Sequence, residues 1–72
     1  MDKEEKIINY LRKKFRKNIS MNSKILIDLD LDSFKFVQIV SEIEKKLKKK
    51  YSPVIIEDLS KFTIKKFSKL FR

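Results

Sequence analysis

The chain has 72 residues and a formal net charge of +9, and it contains neither histidine nor cysteine. A chain of this length forms one small domain with a modest core. The missing side chains exclude a disulfide, a thiolate metal site and a histidine general base. No apolar run is long enough to cross a bilayer, and the N-terminus lacks the apolar centre of a signal peptide. We therefore expect a single cytoplasmic domain over residues 1–72.

The charge is distributed unevenly along the chain. Residues 1–18 carry +4, residues 19–44 carry −3 and residues 45–72 carry +8. A high positive charge is typical of proteins that bind nucleic acid or anionic lipid, but the acidic central segment argues against a uniform polyanion-binding surface. Lysines outnumber arginines by sixteen to three. Because arginine is the better ligand for phosphate and base edges, this ratio indicates in part a solubilising surface.

The first predicted helix covers residues 3–17. Asp2 and Glu5 have the spacing of an N-terminal capping pair. The apolar residues that follow at spacings of three and four lie on one face of a helix: Ile7, Ile8, Leu11 and Phe15. This face could also serve a basic amphipathic helix on a membrane or partner surface. A three-helix core needs the same residues, so we expect the face to be buried.

Residues 18–31 are predicted to form a long extended loop whose apolar residues pack onto the helices. From Leu26 onward, apolar and acidic residues alternate as in a half-buried strand, but no second strand-like segment is evident to pair with it. The carboxylates of Asp28, Asp30 and Asp32 would point to one side and could bind a cation weakly. They lack the glycine and the final glutamate of an EF-hand loop, and we predict no metal site.

Asp32 is a suitable N-cap for a second long helix, predicted over residues 33–49. Its apolar stripe is expected to consist of Phe36, Val37, Val40, Ile43 and Leu47, with Phe34 and Ile39 on the flanks. Ser52-Pro53 ends this region. A short helix at about 55–60 and a last helix at about 63–71 are predicted after it. The sequence therefore predicts an all-α fold, a small bundle of four helices with the long loop between the first two.

Ser33 lies in the first turn of the second long helix, directly after its cap. No histidine or other base is near it in the sequence, so it is a poor self-activated nucleophile. Its hydroxyl would be exposed at a loop–helix junction, where the amides and the positive end of the helix dipole favour an incoming phosphate. From these residues alone, Ser33 is either an ordinary helix-start residue or an attachment point.

The run from Leu29 to Glu44 resembles the acyl carrier protein family. That family typically has Asp-Ser-Leu at this point, a valine three residues after the leucine, further aliphatic residues and a Leu-Glu pair before the helix ends. Here Asp32-Ser33-Phe34 stands for Asp-Ser-Leu, Val37 and Val40 take the aliphatic positions, and Ile43-Glu44 corresponds to Leu-Glu. The tail Asp58-Leu59…Phe62-Thr63-Ile64 is more similar to small stand-alone carriers, including the D-alanyl carrier branch, than to fatty-acid carriers.

The resemblance implies a monomeric, non-catalytic carrier rather than an enzyme. A phosphopantetheinyl transferase would attach 4′-phosphopantetheine to Ser33 through a phosphodiester. The thiol of this group would carry an acyl or aminoacyl thioester between loading and transferring enzymes of fatty acid, polyketide or nonribosomal peptide biosynthesis. Partner enzymes would recognise Asp32, Phe34, Val37, Gln38, Ser41, Glu42 and Glu44. An acyl pocket would be lined by Phe36, Val40, Ile43, Ile56, Leu59, Phe62 and Ile64, although plain core packing is the simpler explanation for these seven residues.

Some positions depart from the family pattern. Asp30 stands where the family often has glycine before the Asp-Ser pair, so the loop would have to turn without the freedom of glycine to adopt a positive φ. Lys35 and Gln38 stand at positions that are often acidic, and two lysines follow Glu44. Partner enzymes with acidic surfaces would explain this reversed charge. The same residues would also be found if the lysines only form a solvated face without a binding role.

The alternative function is a basic helical module that binds nucleic acid or another protein without a prosthetic group. Lysines at the end of the second long helix would then contact phosphates: Lys45, Lys46, Lys48, Lys49 and Lys50. Against this reading, the predicted helix offers no arginine or asparagine and only one glutamine for contacts with base edges.

Overall fold

The computed structural model describes residues 2–72 as a small helical bundle. It contains, in chain order, α1 (Lys3–Phe15), α2 (Ile25–Asp28), α3 (Ser33–Leu47), one turn of 3₁₀ helix (Leu59–Lys61) and α4 (Ile64–Lys69). The all-α fold predicted from the sequence is confirmed. None of the helices in this part of the chain is both long enough and apolar enough to cross a membrane.

Helix α1 begins and ends at identifiable caps. The Asp2 carboxylate accepts a hydrogen bond from the Glu5 N–H at 2.8 Å, which satisfies one of the free donors of the first turn. The helix ends at Phe15, two residues before its predicted end, because Arg16 adopts a left-handed conformation with a φ of 53°. The apolar face of α1 is buried in the core, as expected, through Ile7, Ile8 and Leu11.

The predicted loop over residues 18–31 contains one turn of α-helix, α2, which the alternating pattern did not indicate. Ile25 and Leu29 are buried whereas Ile27 is exposed, so the buried side chains are spaced by four residues and not by two. Three backbone hydrogen bonds attach the loop to Phe62 and to the first two residues of α4. They run from Ile25 N–H to Phe62 O (3.1 Å), from Ile64 N–H to Ser23 O (2.8 Å) and from Lys65 N–H to Met21 O (2.9 Å).

Helix α3 buries most of the predicted face, with two differences. Ile39 and Ile43 are each 1% exposed, whereas Val37 is 64% exposed. The predicted stripe was therefore wrong at Val37, which lies outside, and at Ile39, which lies at the centre of the packed face. The edges of this face are partly buried and consist of Phe36, Val40 and Leu47. The helix ends at Leu47, before the predicted residue 49, because Lys48 adopts a left-handed conformation with a φ of 55°.

The segment between α3 and α4 differs most from the prediction. No helix forms over residues 55–58. A single 3₁₀ turn follows Asp58, whose carboxylate accepts hydrogen bonds from the hydroxyl and the N–H of Ser60 at 2.6 and 3.0 Å. Val54 and Ile55 remain exposed. This part of the chain therefore lacks the buried apolar face that would stabilise a short helix.

Helix α4 is also shorter than the predicted 63–71. The Thr63 hydroxyl caps it by accepting from the Lys66 N–H at 3.3 Å, and Phe71 lies beyond the helix in an isolated β-bridge with Tyr51. The core next to α4 is a cluster of aromatic rings whose neighbouring centroids lie 5.1–6.4 Å apart, largely edge to face. Its members are Phe36, Tyr51, Phe62, Phe67 and Phe71. This cluster joins α3 to α4 through the segment between them.

The orientation of α3 can be tested by truncation along the helix. Ile43→Ala should lower the free energy of unfolding by about 2–5 kcal/mol, because it removes buried methyl groups and leaves a cavity. Ile43→Val removes less of the buried side chain and should lower the free energy of unfolding by about 0.5–1.5 kcal/mol. Val37→Ala is the matched exposed control and should change stability by no more than about 0.5 kcal/mol. Urea unfolding followed by circular dichroism measures all three, and equal losses at positions 37 and 43 would contradict this orientation.

Candidate functional site

Ser33 is the first residue of α3, and its side chain is exposed. The Asp32 carboxylate accepts a hydrogen bond from the Lys35 N–H at 2.8 Å, and the Asp32 carbonyl accepts one from the Phe36 N–H at 2.9 Å. These bonds satisfy two donors of the first turn. The N–H groups of Ser33 and Phe34 donate to no acceptor within residues 2–72, so they remain available to solvent or a ligand.

The chain approaches Ser33 through a left-handed residue at the end of α2. Asp30 adopts a φ of 52°, which glycine takes freely and aspartate tolerates better than most residues. Its N–H donates to the Ile27 carbonyl at 3.3 Å, and the Leu31 N–H donates to the Leu26 carbonyl at 3.0 Å. This pair of bonds is the Schellman arrangement of a helix C-terminus. The loop thus turns with a positive φ although a side chain is present, contrary to the expectation from the missing glycine.

Four of the residues predicted to contact partners lie on the outer side of α3. Phe34 is 71% exposed, and Val37, Gln38 and Ser41 are exposed as well. Spacings of three and four residues place these side chains next to one another on the helix. We call this set of four residues the α3 face. It begins one residue after Ser33, and its apolar members are the ones nearest to Ser33 in the sequence.

The two glutamates predicted to contact partners make contacts to other parts of the protein, although Glu42 is exposed. The Tyr10 hydroxyl donates to the Glu42 carboxylate, and the Lys14 Nζ lies 3.2 Å from the same group. The Glu44 carboxylate accepts a hydrogen bond from the Tyr51 N–H at 2.9 Å. Both glutamates therefore connect α3 to other parts of the fold, and their charge is partly compensated there.

The seven residues predicted to line an acyl pocket are distributed over the core and its edge. Ile43, Phe62 and Ile64 are buried in the core, Phe36, Val40 and Ile56 are partly buried, and Leu59 is exposed. A groove of about 510 Å³ is formed by residues 54–58, the 3₁₀ turn and α4. Only Ile56 and Phe62 of the seven line this groove.

The groove also includes residues that sequence reasoning did not assign to any site. The apolar ones are Val54, Ile55 and Leu70, and the basic ones are Lys61, Lys66 and Lys69. The run Val54-Ile55-Ile56 contributes to the short helix predicted at about 55–60, which does not form. The signal that could have suggested otherwise is its position directly after Pro53, with only Leu59 as a further apolar residue to complete a helical face.

Two of the three carboxylates before Ser33, those of Asp28 and Asp32, have structural roles. The Asp28 carboxylate accepts from the Lys24 N–H at 2.7 Å, and Asp32 caps α3. Within residues 2–72, no three histidine, cysteine or acidic side chains form a group that could hold a metal ion. Ser33 also makes no hydrogen bond to a base in this part of the chain. A hydroxyl in such surroundings suits chemistry in which another enzyme activates it.

The lysines near the end of α3 are exposed. Lys45, Lys48, Lys49 and Lys50 surround, together with Glu44, a shallow hollow of about 320 Å³. Lys46 lies 6.0 Å from the centre of the Tyr10 ring, a distance at which a cation is attracted to the face of an aromatic ring. Phosphate binding by these lysines, the basis of the nucleic-acid alternative, stays a prediction.

Comparison with known proteins gives no match to this chain. No protein-family model matches it, and no similarity is found among curated proteins or solved structures.

The left-handed turn before Ser33 leads to a stability prediction. Asp30→Gly should raise the free energy of unfolding by up to about 1 kcal/mol, because a residue with a Cβ loses about 1–2 kcal/mol in this conformation and the greater chain entropy of glycine offsets part of the gain. Asp30→Ala keeps the Cβ and loses the short polar side chain, so it should be less stable than the wild type. Thermal unfolding of the three proteins provides the comparison. A glycine variant less stable than the alanine variant would contradict the role of this turn.

Proposed function

We propose that this protein is a cytoplasmic acyl or aminoacyl carrier that holds 4′-phosphopantetheine on Ser33. The observation that supports the proposal most directly is the exposed serine at the capped start of α3, in a run of residues that resembles the acyl carrier protein family. A hydroxyl in this position is accessible to a modifying enzyme, and the cap holds it at one place on the bundle. The carrier itself needs no catalytic base, since its partner enzymes perform the reactions.

The residues around Ser33 are compatible with a phosphodiester-linked group. The open N–H groups of Ser33 and Phe34 and the positive end of the α3 dipole favour negative charge at this point. The nearest carboxylate in the sequence, Asp32, directs one oxygen to the Lys35 N–H, and this bond partly compensates its charge. When bound, the prosthetic group would supply the thiol that carries the cargo as a thioester.

We infer distinct roles for the residues that flank the serine. Asp32 fixes the start of α3 and, as the family resemblance implies, would help the transferase position its metal ion. Phe34 and Val37 would form the apolar contact with the transferase and with loading enzymes, because exposed apolar side chains gain free energy when an interface buries them. Gln38 and Ser41 extend this α3 face, and the exposed Glu42 and the partly buried Glu44 connect α3 to the rest of the fold.

The packing of the core favours a small cargo. Three of the residues predicted to line an acyl pocket, Ile43, Phe62 and Ile64, are at most 5% exposed. Their side chains fill the space between the helices, so a long acyl chain would have to displace core contacts to enter it. An aminoacyl or short acyl group could be carried without displacing core contacts. This supports the similarity to the small stand-alone carriers.

Modification can be tested on the intact protein. Incubation with coenzyme A and a phosphopantetheinyl transferase of broad specificity should add the mass of one 4′-phosphopantetheine group, as measured by intact-protein mass spectrometry. Ser33→Ala should abolish the adduct because it removes the attachment oxygen. Ser20→Ala, which changes an exposed serine in the connection before α2, is the matched control and should be modified like the wild type.

Circular dichroism and urea unfolding should show that both serine variants keep the fold. The proposal fails if several transferases leave the wild type unmodified, or if Ser33→Ala still accepts the group. An unmodified wild type that binds nucleic acid in a salt-sensitive gel shift would instead support the basic helical module.

A further inference from the structure

Away from Ser33, exposed apolar residues cluster in one short stretch of the chain. Three of the six large apolar side chains that are exposed within residues 2–72 lie between positions 54 and 59: Val54, Ile55 and Leu59. Ile55 is 92% exposed, so it contributes almost no burial to folding. Single exposed apolar residues are common on protein surfaces, but a cluster of them marks an interaction surface.

The groove next to this cluster is lined by apolar and basic side chains together. Its basic residues are Lys61, Lys66 and Lys69, and the last two are three residues apart on one side of α4. None of the three is in an ion pair, because the one ion pair in the described part of the chain joins Lys14 to Glu42. We call the set formed by Val54, Ile55 and these three lysines the basic–apolar surface.

Two acidic residues, Glu57 and Asp58, also line the groove. The hydroxyl and the N–H of Ser60 both donate to the Asp58 carboxylate and hold the pKa of Asp58 below its ordinary value. This carboxylate is therefore charged at neutral pH and is already engaged in the cap of the 3₁₀ turn. Residues 45–72, which include the groove, carry a net charge of +8, which attracts anionic surfaces over a range of several ångströms.

We propose that the basic–apolar surface docks onto an anionic lipid membrane. Ile55 and Val54 would enter the boundary between headgroups and acyl chains, and the three lysines would lie at the level of the headgroups. Combined apolar insertion and electrostatic attraction is the usual basis of reversible binding at a membrane surface. The proposal is independent of Ser33 and goes beyond the carrier function.

A membrane fits these observations better than an acidic protein partner does. The apolar residues lie on an irregular segment, and within residues 2–72 no backbone hydrogen bond involves positions 53–57. A bilayer accepts protruding apolar side chains without offering a pocket of matching shape, whereas a protein partner would have to supply one. A fluid, negatively charged surface is also matched by lysines, which act as point charges and need no fixed geometry.

Vesicle co-sedimentation of the full chain tests the proposal. The wild type should sediment with vesicles that contain phosphatidylglycerol, fail to sediment with pure phosphatidylcholine vesicles, and bind less as salt is raised. The double variant Lys66→Gln/Lys69→Gln should lower the partition coefficient by roughly 10- to 30-fold, since each lysine near an anionic surface contributes about fivefold. Ile55→Ser should also weaken binding, although the net charge is unchanged.

The matched control removes the same charge from α1. Lys6→Gln/Lys13→Gln alters two exposed lysines outside the groove and should change the partition coefficient far less than the α4 pair does. Ser33→Ala should bind vesicles like the wild type, so failure of the carrier function and failure of membrane docking can be told apart. Circular dichroism should show every variant to be folded, since the changed side chains are exposed.

Three results would overturn the proposal. The first is no binding of the wild type to phosphatidylglycerol vesicles at low salt. The second is an equal decrease of the partition coefficient in the two double lysine variants, or unchanged binding of Ile55→Ser. Either result would indicate that the whole positive charge attracts the protein to the vesicle, and not the basic–apolar surface. The third is tight binding to soluble polyglutamate without sedimentation on vesicles, which would point to an acidic protein partner.

Discussion

The position of Ser33 depends on the place where the long connection between α1 and α3 is hydrogen-bonded to residues 62–65, at the start of α4. We call this place the crossing. Backbone hydrogen bonds join Ile25 to Phe62 and Ile64 to Ser23, and the side chains of Ile25 and Ile64 are completely buried at this crossing. Burial strengthens these bonds because it excludes competing water. A chain with so small a core has little other means of ordering a long connection against its conformational entropy. Once the crossing is fixed, α2, the turn at Asp30 and the Asp32 cap follow in order and bring Ser33 to the surface.

The acidic and basic side chains are used differently in this fold. Carboxylates are mainly committed within it: Asp2, Asp32 and Asp58 cap helical segments, Asp28 binds the Lys24 N–H, and Glu42 and Glu44 connect α3 to α1 and Tyr51. Most lysines are exposed. Asp28, Asp30, Asp32 and Glu42 of the acidic centre are exposed, but three of these four carboxylates already accept hydrogen bonds within the fold. The positive charge remains outside, where it acts on whatever approaches the molecule.

Local signals explain which parts of the fold could be predicted from the sequence. The starts of α1 and α3, and with them the exposed position of Ser33, depend on Asp2 and Asp32, whose capping preference acts over three residues. The turn of α2 could not be predicted in this way, because it depends on hydrogen bonds to residues 62–65. The short helix expected near 55–60 is absent for a related reason. Lys50 exchanges two backbone hydrogen bonds with Arg72, and the Ser52 N–H donates to the Leu70 carbonyl, so distant partners hold residues 50–52. Val54 and Ile55, which follow, stay exposed and give a helix no buried face.

The residues of the candidate surfaces were harder to predict than the attachment point, because an apolar residue looks the same in sequence whether it is buried or exposed. Val37 and Ile39 both fit a helical stripe, and only the packing of α3 decides that Ile39 enters the core. The same ambiguity applies to Ile55. Such residues gain no burial energy on folding, and exposed apolar area lowers solubility. Their clustering near Ser33 on α3 and beside the lysines of α4 is therefore explained better by binding than by stability. The two surfaces share no residue, so the proposed carrier modification and the proposed membrane docking can be tested separately.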